Sequence, residues 1–451
     1  MRKPLALAMA LAMTATVALS GCSSSSTSDS GSSSGGGEST TAEESGDSGD
    51  SGSGGGGSIQ LLNGKPEIDT QLQSLAAKYN EETGNTIEIM TIGGTETASS
   101  KLKELKQADE MPDIFFAEAK DFATWQGELE DMTGWEWTED TSAEYIDSEM
   151  GTIGFPYNTE ACGLAYNKDI LDKAGVDPAS LTSPDAYKEA FETIDSKKDD
   201  LGLTAVVAYA ANANNIGWST GTHIFGQYLD AGLDPTDRTY IDLLNDGGQL
   251  DKDRFTKFGE FIGLLNQYSD DQLRVDGTYD DQVLGFASGK FAFMTNGSWT
   301  GATLTGDDSD AYASAGNFEC GFAPYAFEDG INTILNGGTN YWTVYSSGDV
   351  EGAKAFLNWF IGDTAQQIMV EEAGFISPFE DCAFESTDPF AAAVTEWLAD
   401  GKFSAYHTME KKDGLNDVTS VVFQEYAKGD IATAEEFTEE IQKVCTDYYA
   451  Q

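Results

Sequence analysis

Residues 154–169 read GFPYNTEACGLAYNKD and contain a strand, a turn and the start of a helix. Short apolar runs alternate with longer runs of helical period on both sides of this stretch. On the N-terminal side these are a strand at 59–62, a helix closed by Gly84, and strands at 86–91 and 113–117. Because strands alternate with helices, the sequence predicts a parallel sheet in an α/β fold.

Polar residues follow each of the N-terminal strands. In a parallel α/β sheet, ligands bind beyond the carboxyl ends of the strands. The strand ends here are the loops at 63–65, 93–96 and 118–121. These loops contribute a first set of candidate ligand-binding residues, which are Asn63, Lys65, Thr95, Glu96 and Glu118.

The same alternation continues on the C-terminal side. An apolar strand lies at 203–209, another strand ends at Trp299, and helices follow at about 389–399 and 431–448. Chains of several hundred residues usually form more than one hydrophobic core. The sequence after residue 58 therefore predicts more than one core.

The N-terminus has the features of an export signal. Arg2 and Lys3 precede an apolar run at 5–19, which is too short to span a bilayer comfortably but is typical of a signal peptide. The residues Leu19-Ser20-Gly21-Cys22 resemble the lipobox of bacterial lipoproteins. We therefore predict a lipoprotein signal peptide at 1–21 and a lipid on Cys22 that anchors the protein to the membrane. The alternative is an ordinary secretory signal followed by an incidental cysteine.

Residues 23–58 contain no aromatic, no large aliphatic and no basic side chain. Such a segment cannot bury enough apolar surface to offset the entropy lost on ordering. We therefore predict that 22–58 is the lipidated cysteine followed by a disordered tether.

Composition and motifs argue against several functional classes. A net charge of −52 argues against nucleic acid as a partner, because counterion release needs a basic face. The two histidines, His223 and His407, form no HExxH motif, and no Walker A or GxSxG motif is present. The acidic runs near 270–281 and 307–310 do not fit an EF-hand loop. We predict no metal, no cofactor and no specific disulfide, with calcium at an acidic run as the alternative.

Five blocks occur in order along the chain, at 63–68 with its helix, 111–116, 155–171, 289–299, and the strand at 337–344 with the helix after it. Taken in this order, downstream of a lipobox and a tether, the blocks resemble the family 1 extracellular solute-binding proteins of ABC importers. This family includes maltose-binding protein and many oligosaccharide receptors.

The resemblance implies a two-lobed α/β fold of the periplasmic-binding-protein type, with a ligand cleft between the lobes. Crossover hinge strands join the lobes and allow them to close around a ligand. By similarity, lobe 1 holds 59–157 plus 299–340, and lobe 2 holds 158–298 plus 341–451. The crossovers are expected near 157–161, 296–299 and 338–342.

A sugar site needs flat aromatic surfaces and polar groups that bind pairs of hydroxyls. By resemblance, Trp299 is the aromatic platform, and Glu160 matches by order a carboxylate that contacts sugar in the family. Trp218 lies in a second-lobe loop flanked by asparagine and glycine. The alternatives are a core position for either tryptophan, a solvated or hinge-locking role for Glu160, and simple surface acidity for Glu118.

Asn340, Tyr341 and Trp342 lie at a predicted crossover, and at least one of them is expected to face the cleft. The sequence does not show which one.

We therefore predict a monomeric, non-enzymatic solute-binding lipoprotein on the extracytoplasmic face of a bacterial cell membrane. Its predicted partners are a small carbohydrate, such as an oligosaccharide, and the permease subunits of an ABC importer. One alternative is a surface glycoside hydrolase, which needs two carboxylates about 5 to 10 Å apart across one bond. Another is a surface protein that captures glycans without an importer.

Overall fold

The computed structural model of the chain describes residues 58–92, 98–141, 143–147, 149–337 and 340–451. The strands within these ranges are β1 (Ser58–Asn63), β2 (Thr86–Thr91), β3 (Ile114–Glu118), β4 (Tyr145–Asp147), β5 (Gly151–Pro156), β6 (Glu160–Cys162), β7 (Leu164–Asn167), β8 (Val207–Ala208), β9 (Phe293–Met294), β10 (Cys320–Ala323), β11 (Ile334–Gly337), β12 (Asn340–Val344) and β13 (Phe403–Ser404).

Short 3-10 and π-helical turns supplement the α-helices of the same ranges. The α-helices are α1 (Asp69–Thr83), α2 (Ala98–Ala108), α3 (Lys168–Ala174), α4 (Pro184–Asp195), α5 (Lys198–Leu201), α6 (Ala213–Trp218), α7 (Phe225–Asp230), α8 (Thr239–Asn245), α9 (Lys252–Gln267), α10 (Asp271–Asp276), α11 (Tyr279–Ala287), α12 (Thr300–Thr305), α13 (Ser309–Ser314), α14 (Val350–Phe360), α15 (Asp363–Gln367), α16 (Ala391–Ala399), α17 (Leu415–Lys428) and α18 (Ala434–Tyr449).

Local sequence signals mark the ends of several helices. The side chain of Ser183 accepts a hydrogen bond from the backbone N–H of Ala186, and Pro184 opens α4. Helix α1 ends at Gly84, whose φ of 76° is left-handed and whose N–H donates to the carbonyl of Asn80. The predicted end of the first helix is therefore confirmed.

The first lobe is built on a six-stranded sheet in the order β2-β1-β3-β12-β5-β4. Strand β1 runs parallel to β2 and β3, whereas β12 pairs antiparallel with both β3 and β5. The predicted parallel sheet is therefore correct only for the first three strands. The remainder is antiparallel because β12 enters the sheet from the other lobe.

The second lobe contains a four-stranded sheet, β10-β7-β9-β8, and a three-stranded sheet, β13-β11-β6. Its largest core is rich in aromatic rings, such as Tyr228, Phe255 and Phe258. The first lobe has a core of its own around Phe155, Trp342 and other buried residues. The two sets of sheets with separate cores confirm the predicted two-lobed α/β architecture.

The lobe boundaries differ from the expected division for two segments. Strand β10 was expected in lobe 1 but pairs with β7 in the second-lobe sheet. Strand β12 and helix α14 were expected in lobe 2 but belong to the first lobe, where Trp342 and Phe356 share one core. The reason is that β12 lies between β3 and β5, so the helix that follows it covers the same sheet.

Within the described residues, the chain passes from one lobe to the other at three places. The first two, before β6 and between β11 and β12, lie where crossovers were expected. The expected crossover at 296–299 is wrong, because β9 and α12 both lie in the second lobe. The third connection is instead 376–390, which leaves the first core after Phe379 and enters a second-lobe core at Phe390.

Candidate ligand-binding cavity between the lobes

A cavity of about 690 Å³ lies between the lobes. This volume is within the range of small-molecule sites in proteins. The first lobe and the crossovers contribute Gly64, Lys65, Pro66, Phe116, Glu118, Glu160 and Asn340 to its wall. The second lobe contributes Trp218, Thr222, His223, Trp299, Met409, Lys411, Lys412, Asp413 and Asn416.

Aromatic rings form the second-lobe side of the cavity. The ring centroid of Trp299 lies 4.5 Å from that of His223 and 6.2 Å from that of Trp218. Trp218 is 36% exposed, which is unusual for so large an apolar side chain. Gly297 permits this arrangement, because a Cβ there would lie 2.1 Å from Cζ3 of Trp299.

His223 is a half-buried and neutral member of this aromatic group. Burial, together with the nearby positive charge of Lys411, lowers the pKa of His223 to about 3. Its Nδ1 is hydrogen-bonded to the hydroxyl of Tyr406. Sequence reasoning considered this histidine only as a zinc ligand, since no local motif marks it as a binding residue.

A buried ion pair lies where the first lobe meets the crossovers. Lys65 Nζ is 2.5 Å from Glu160 Oε1, and both side chains are almost fully buried. Glu160 also accepts hydrogen bonds from Asn158 Nδ2 at 3.2 Å and from Asn340 Nδ2 at 3.3 Å. The structure thus brings Lys65, Glu160 and Asn340, three of the predicted site residues, into one network at the cavity wall.

Asn63 stabilises this network through the backbone of Lys65. Its side chain is fully buried and does not line the cavity. Its Oδ1 accepts from the backbone N–H of Lys65 at 2.9 Å, and its Nδ2 donates to the Lys65 carbonyl at 2.7 Å. Asn63 was expected to contact the ligand, but its observed contacts fix the turn that directs Lys65 toward Glu160.

Glu118 and Asn340 occupy opposite positions on β3 and β12, and both line the cavity. Glu118 ends β3, where a helical turn at Ala119–Trp125 begins. In that turn the Glu118 backbone N–H donates to Asp121 Oδ2 at 3.1 Å. The structure therefore places a carboxylate and an amide side by side at one edge of the cavity.

Tyr341 and Trp342 follow Asn340 in β12 but lie outside the cavity. Tyr341 packs against Phe122 and Tyr145. Trp342 is 0% exposed in the first core, so it has no surface with which to contact a ligand. Tyr341 points to the opposite face of β12 from Asn340, whereas Trp342 points to the same face as Asn340 but lies in the first core. Of the three predicted residues, only Asn340 faces the cavity.

The remaining predicted residues are not described. Thr95 and Glu96 lie in the segment 93–97, and Cys22 lies before residue 58, so all three fall outside the described residues.

Sequence reasoning missed the C-terminal contribution to the cavity. Lys411 is buried, and its Nζ donates to Thr222 Oγ1 at 3.1 Å and to the Thr408 carbonyl at 2.9 Å. Lys412 points its ammonium group at the carbonyl of Tyr448. These residues precede α17, far along the chain from the predicted loops, and no local pattern distinguishes them from ordinary surface lysines.

The described part of the chain contains no group of three or more histidine, cysteine or acidic side chains placed to hold a metal ion. Within the same ranges, no helix combines the length and apolar character that a membrane crossing requires.

Comparison with known proteins identifies the family. Residues 74–395 match the family model described as bacterial extracellular solute-binding protein. The chain is 26% identical over 252 residues to the sn-glycerol-3-phosphate-binding periplasmic protein UgpB of Rhizobium meliloti (strain 1021), covering 54% of this chain and 53% of that protein. It thus spans about half the length of that relative. It is 24% identical over 356 residues to the melibiose/raffinose/stachyose-binding protein MelE of Bacillus subtilis (strain 168), covering 74% and 76% of the two chains.

Solved structures share the fold at low sequence identity. A chitin oligosaccharide binding protein matches with a TM-score of 0.69 at 18% identity, covering 88% of this chain and all of the other. The solute-binding protein RafE in complex with raffinose matches with a TM-score of 0.66 at 17% identity, covering 86% and 99%. The family match extends over most of the described residues, and the two-lobed architecture agrees with it. The chain therefore belongs to the family of bacterial extracellular solute-binding proteins.

Proposed function

We propose that the protein captures a carbohydrate in the cavity between its lobes. The observation that carries this proposal is the division of the cavity wall into two chemically different sides. Indole rings of Trp218 and Trp299 offer flat surfaces for the C–H faces of a sugar. Glu118, Glu160 and Asn340 on the opposite side offer acceptors and a donor for hydroxyl groups.

The charge of the cavity favours a neutral sugar over a phosphate ester. Among the described lining residues there is no arginine, the side chain best suited to bind phosphate through two parallel hydrogen bonds. The charge of Lys65 is balanced by Glu160 at 2.5 Å. The two other lining lysines are matched in number by two other carboxylates, and these four residues are Lys411, Lys412, Glu118 and Asp413. The match to the relative named for sn-glycerol-3-phosphate extends over about half of that protein. The match to the relative named for melibiose, raffinose and stachyose extends over about three quarters of that protein.

A receptor role fits the family better than catalysis. The relatives and structural neighbours named above are binding proteins. Glu160 is held in an ion pair with Lys65, which keeps its carboxylate ionised and unsuited to act as the general acid of a glycoside hydrolase. We infer that the bound sugar passes unchanged to the permease of an ABC importer, and that the monomer is held at the membrane by lipid on Cys22.

The lipid anchor has a direct test. The Cys22→Ala variant, produced in the native host, should leave the membrane fraction and appear in the medium or periplasm. A variant that still sediments with the membrane would refute lipid anchoring through Cys22 and leave the sugar-binding proposal intact.

A thermal-shift screen tests the sugar-binding proposal. The panel contains mono- and oligosaccharides together with sn-glycerol 3-phosphate. A ligand that binds only the folded state raises the apparent melting temperature. We expect at least one neutral oligosaccharide to do so, with the bound sugar recovered intact. Stabilisation by sn-glycerol 3-phosphate alone would overturn the neutral-sugar assignment, and recovery of hydrolysed sugar would move the protein to the hydrolases.

A further inference from the structure

A second cavity, of about 610 Å³, lies on the other face of β12. Asn340 lines the first cavity and the next residue, Tyr341, lines the second. Consecutive side chains of a strand point to opposite faces, so the two cavities are separated by the crossover strand. Both lobes contribute to the second cavity, the first through Glu144, Tyr145 and Tyr341, and the second through Phe403, Tyr406 and Glu410.

Aromatic rings line the first-lobe side of this cavity. The ring centroids of Tyr145 and Tyr341 lie 5.6 Å apart at an interplanar angle of 66°. Phe122 packs behind both, with centroid distances of 4.6 Å to Tyr145 and 5.9 Å to Tyr341. Tilted aromatic faces of this kind present negative electrostatic potential and attract cations.

The charges around the second cavity are predominantly negative. Glu144 and Glu410 line it, and its described lining includes no lysine or arginine. Arg238, just outside, binds Glu410 at 2.6 Å, and His407 is paired with Asp230 at 2.7 Å. Burial raises the pKa of Tyr341, and the charges of Glu410 and Glu144 raise it further. Glu144 Oε2 is buried and accepts no hydrogen bond from the described residues.

We propose that the second cavity binds a small organic cation of the alkylammonium class, with its ammonium group beside Glu144 and against the ring faces of Tyr145 and Tyr341. Aromatic faces and a carboxylate are the groups that recognise such cations. The inference goes beyond sugar binding and does not depend on it, because the two cavities share almost no lining residues.

Ligand-observed NMR with n-butylammonium and its neutral analogue n-butanol tests the proposal on the whole protein. We expect n-butylammonium to bind and n-butanol to bind at least about tenfold more weakly, because n-butanol lacks the charge that strengthens a hydrogen bond to a carboxylate. The Glu144→Gln substitution should weaken the binding of n-butylammonium about tenfold. Tyr145→Leu should weaken it severalfold, which provides a second variant if Glu144→Gln fails to fold.

Two control variants distinguish binding in the second cavity from non-specific attraction of the cation to the negatively charged protein and from binding in the first cavity. Glu136→Gln makes the same change in net charge at an exposed position away from the cavity and should leave binding unchanged. Trp299→Ala should also leave it unchanged. The proposal fails if n-butanol binds as well as the ammonium, if Glu144→Gln and Glu136→Gln behave alike, or if Trp299→Ala abolishes cation binding.

Discussion

Trp299 is the side chain on which the sugar-binding proposal depends most. It contacts both His223 and Trp218 and forms the centre of the aromatic wall. Trp299→Ala should weaken binding of the sugar found by screening by about 1 to 3 kcal/mol, the energy of a lost buried aromatic contact. Isothermal titration measures this change as a roughly 5- to 150-fold rise in Kd. Unchanged affinity would exclude Trp299 from the site.

Trp342 provides the matched control for that experiment. It is fully buried in the first core and touches no part of the cavity. Trp342→Phe should therefore lower the free energy of unfolding by about 1 to 3 kcal/mol, through the cavity left in the core. Sugar affinity, measured well below the melting temperature, should stay at the wild-type value.

Asp388 lies on the third crossover and is half-buried. Its carboxylate accepts the backbone N–H of Phe390 at 2.7 Å and lines a small cavity with Lys65, Glu160 and Trp299. Burial raises the pKa of Asp388 to about 7. A raised pKa means that the contribution of this group to stability is complete below pH 4 and is lost as the pH rises to about 7.

The Asp388→Asn variant tests this pH dependence. Asparagine keeps the shape and the acceptor but cannot ionise, so the variant should match the wild type at pH 4 and exceed it in stability at pH 8. The difference at pH 8 should be on the order of 4 kcal/mol. Urea unfolding at both pH values measures it, with Asp329→Asn at an exposed position as control. A constant difference between pH 4 and pH 8 would contradict the burial argument.

The place of a single residue in the site was predictable where the residue belongs to a recognisable stretch of sequence. Trp299 and Glu160 were proposed from the order of family blocks and Glu118 from its place at the end of a strand, and all three line the cavity. Trp342 lies on the same face of β12 as Asn340 but inside the first core, and sequence alone does not show where along the strand the core ends and the cavity begins. His223 was missed because its environment is assembled from residues distant in the chain, such as Tyr406.

At the scale of elements, a π-helical turn at Ser219–Ile224 packs against the start of α17. A Cβ at Gly221 would lie 2.4 Å from the backbone oxygen of Asn416, closer than real contacts allow. Thr222 and Asn416, on the two sides of this contact, both line the cavity. The glycine therefore sets the distance between two elements that position binding groups.

Gly221→Ala should force these elements apart. We expect a loss of about 1 to 3 kcal/mol in the free energy of unfolding, as for other overpacked interiors, together with weaker sugar binding. Gly263→Ala in α9 is the control, since the new Cβ would meet only the hydroxyl end of the Tyr426 side chain. Equal unfolding midpoints for Gly221→Ala and Gly263→Ala would show that the close approach has no energetic consequence.

Sequence patterns located most strands and helices but not their partners. The run of strands β1, β2 and β3 was predicted from alternating periodicity, and the parallel pairing of these three followed. The insertion of β12 between β3 and β5 was not predictable, because the pairing joins segments about two hundred residues apart and no local feature specifies it. The third crossover at 376–390 was missed for the same reason.

At the scale of the whole molecule, each lobe has a hydrophobic core of its own, and the crossovers in the described ranges join the lobes. Each core packs around its own sheet. The cavity is lined by both lobes, so a ligand that contacts both sides gains contacts when the lobes approach. The strongly negative net charge of −52 favours solubility but does not determine which ligand binds.

Small-angle X-ray scattering on the protein with and without the sugar found by screening tests the central claim most directly. That claim is that the two lobes close on a sugar held between them. We expect a smaller radius of gyration at saturating sugar, and no change for Trp299→Ala at the same concentration. A wild-type protein that binds the sugar with an unchanged radius of gyration would contradict closure around a ligand between the lobes.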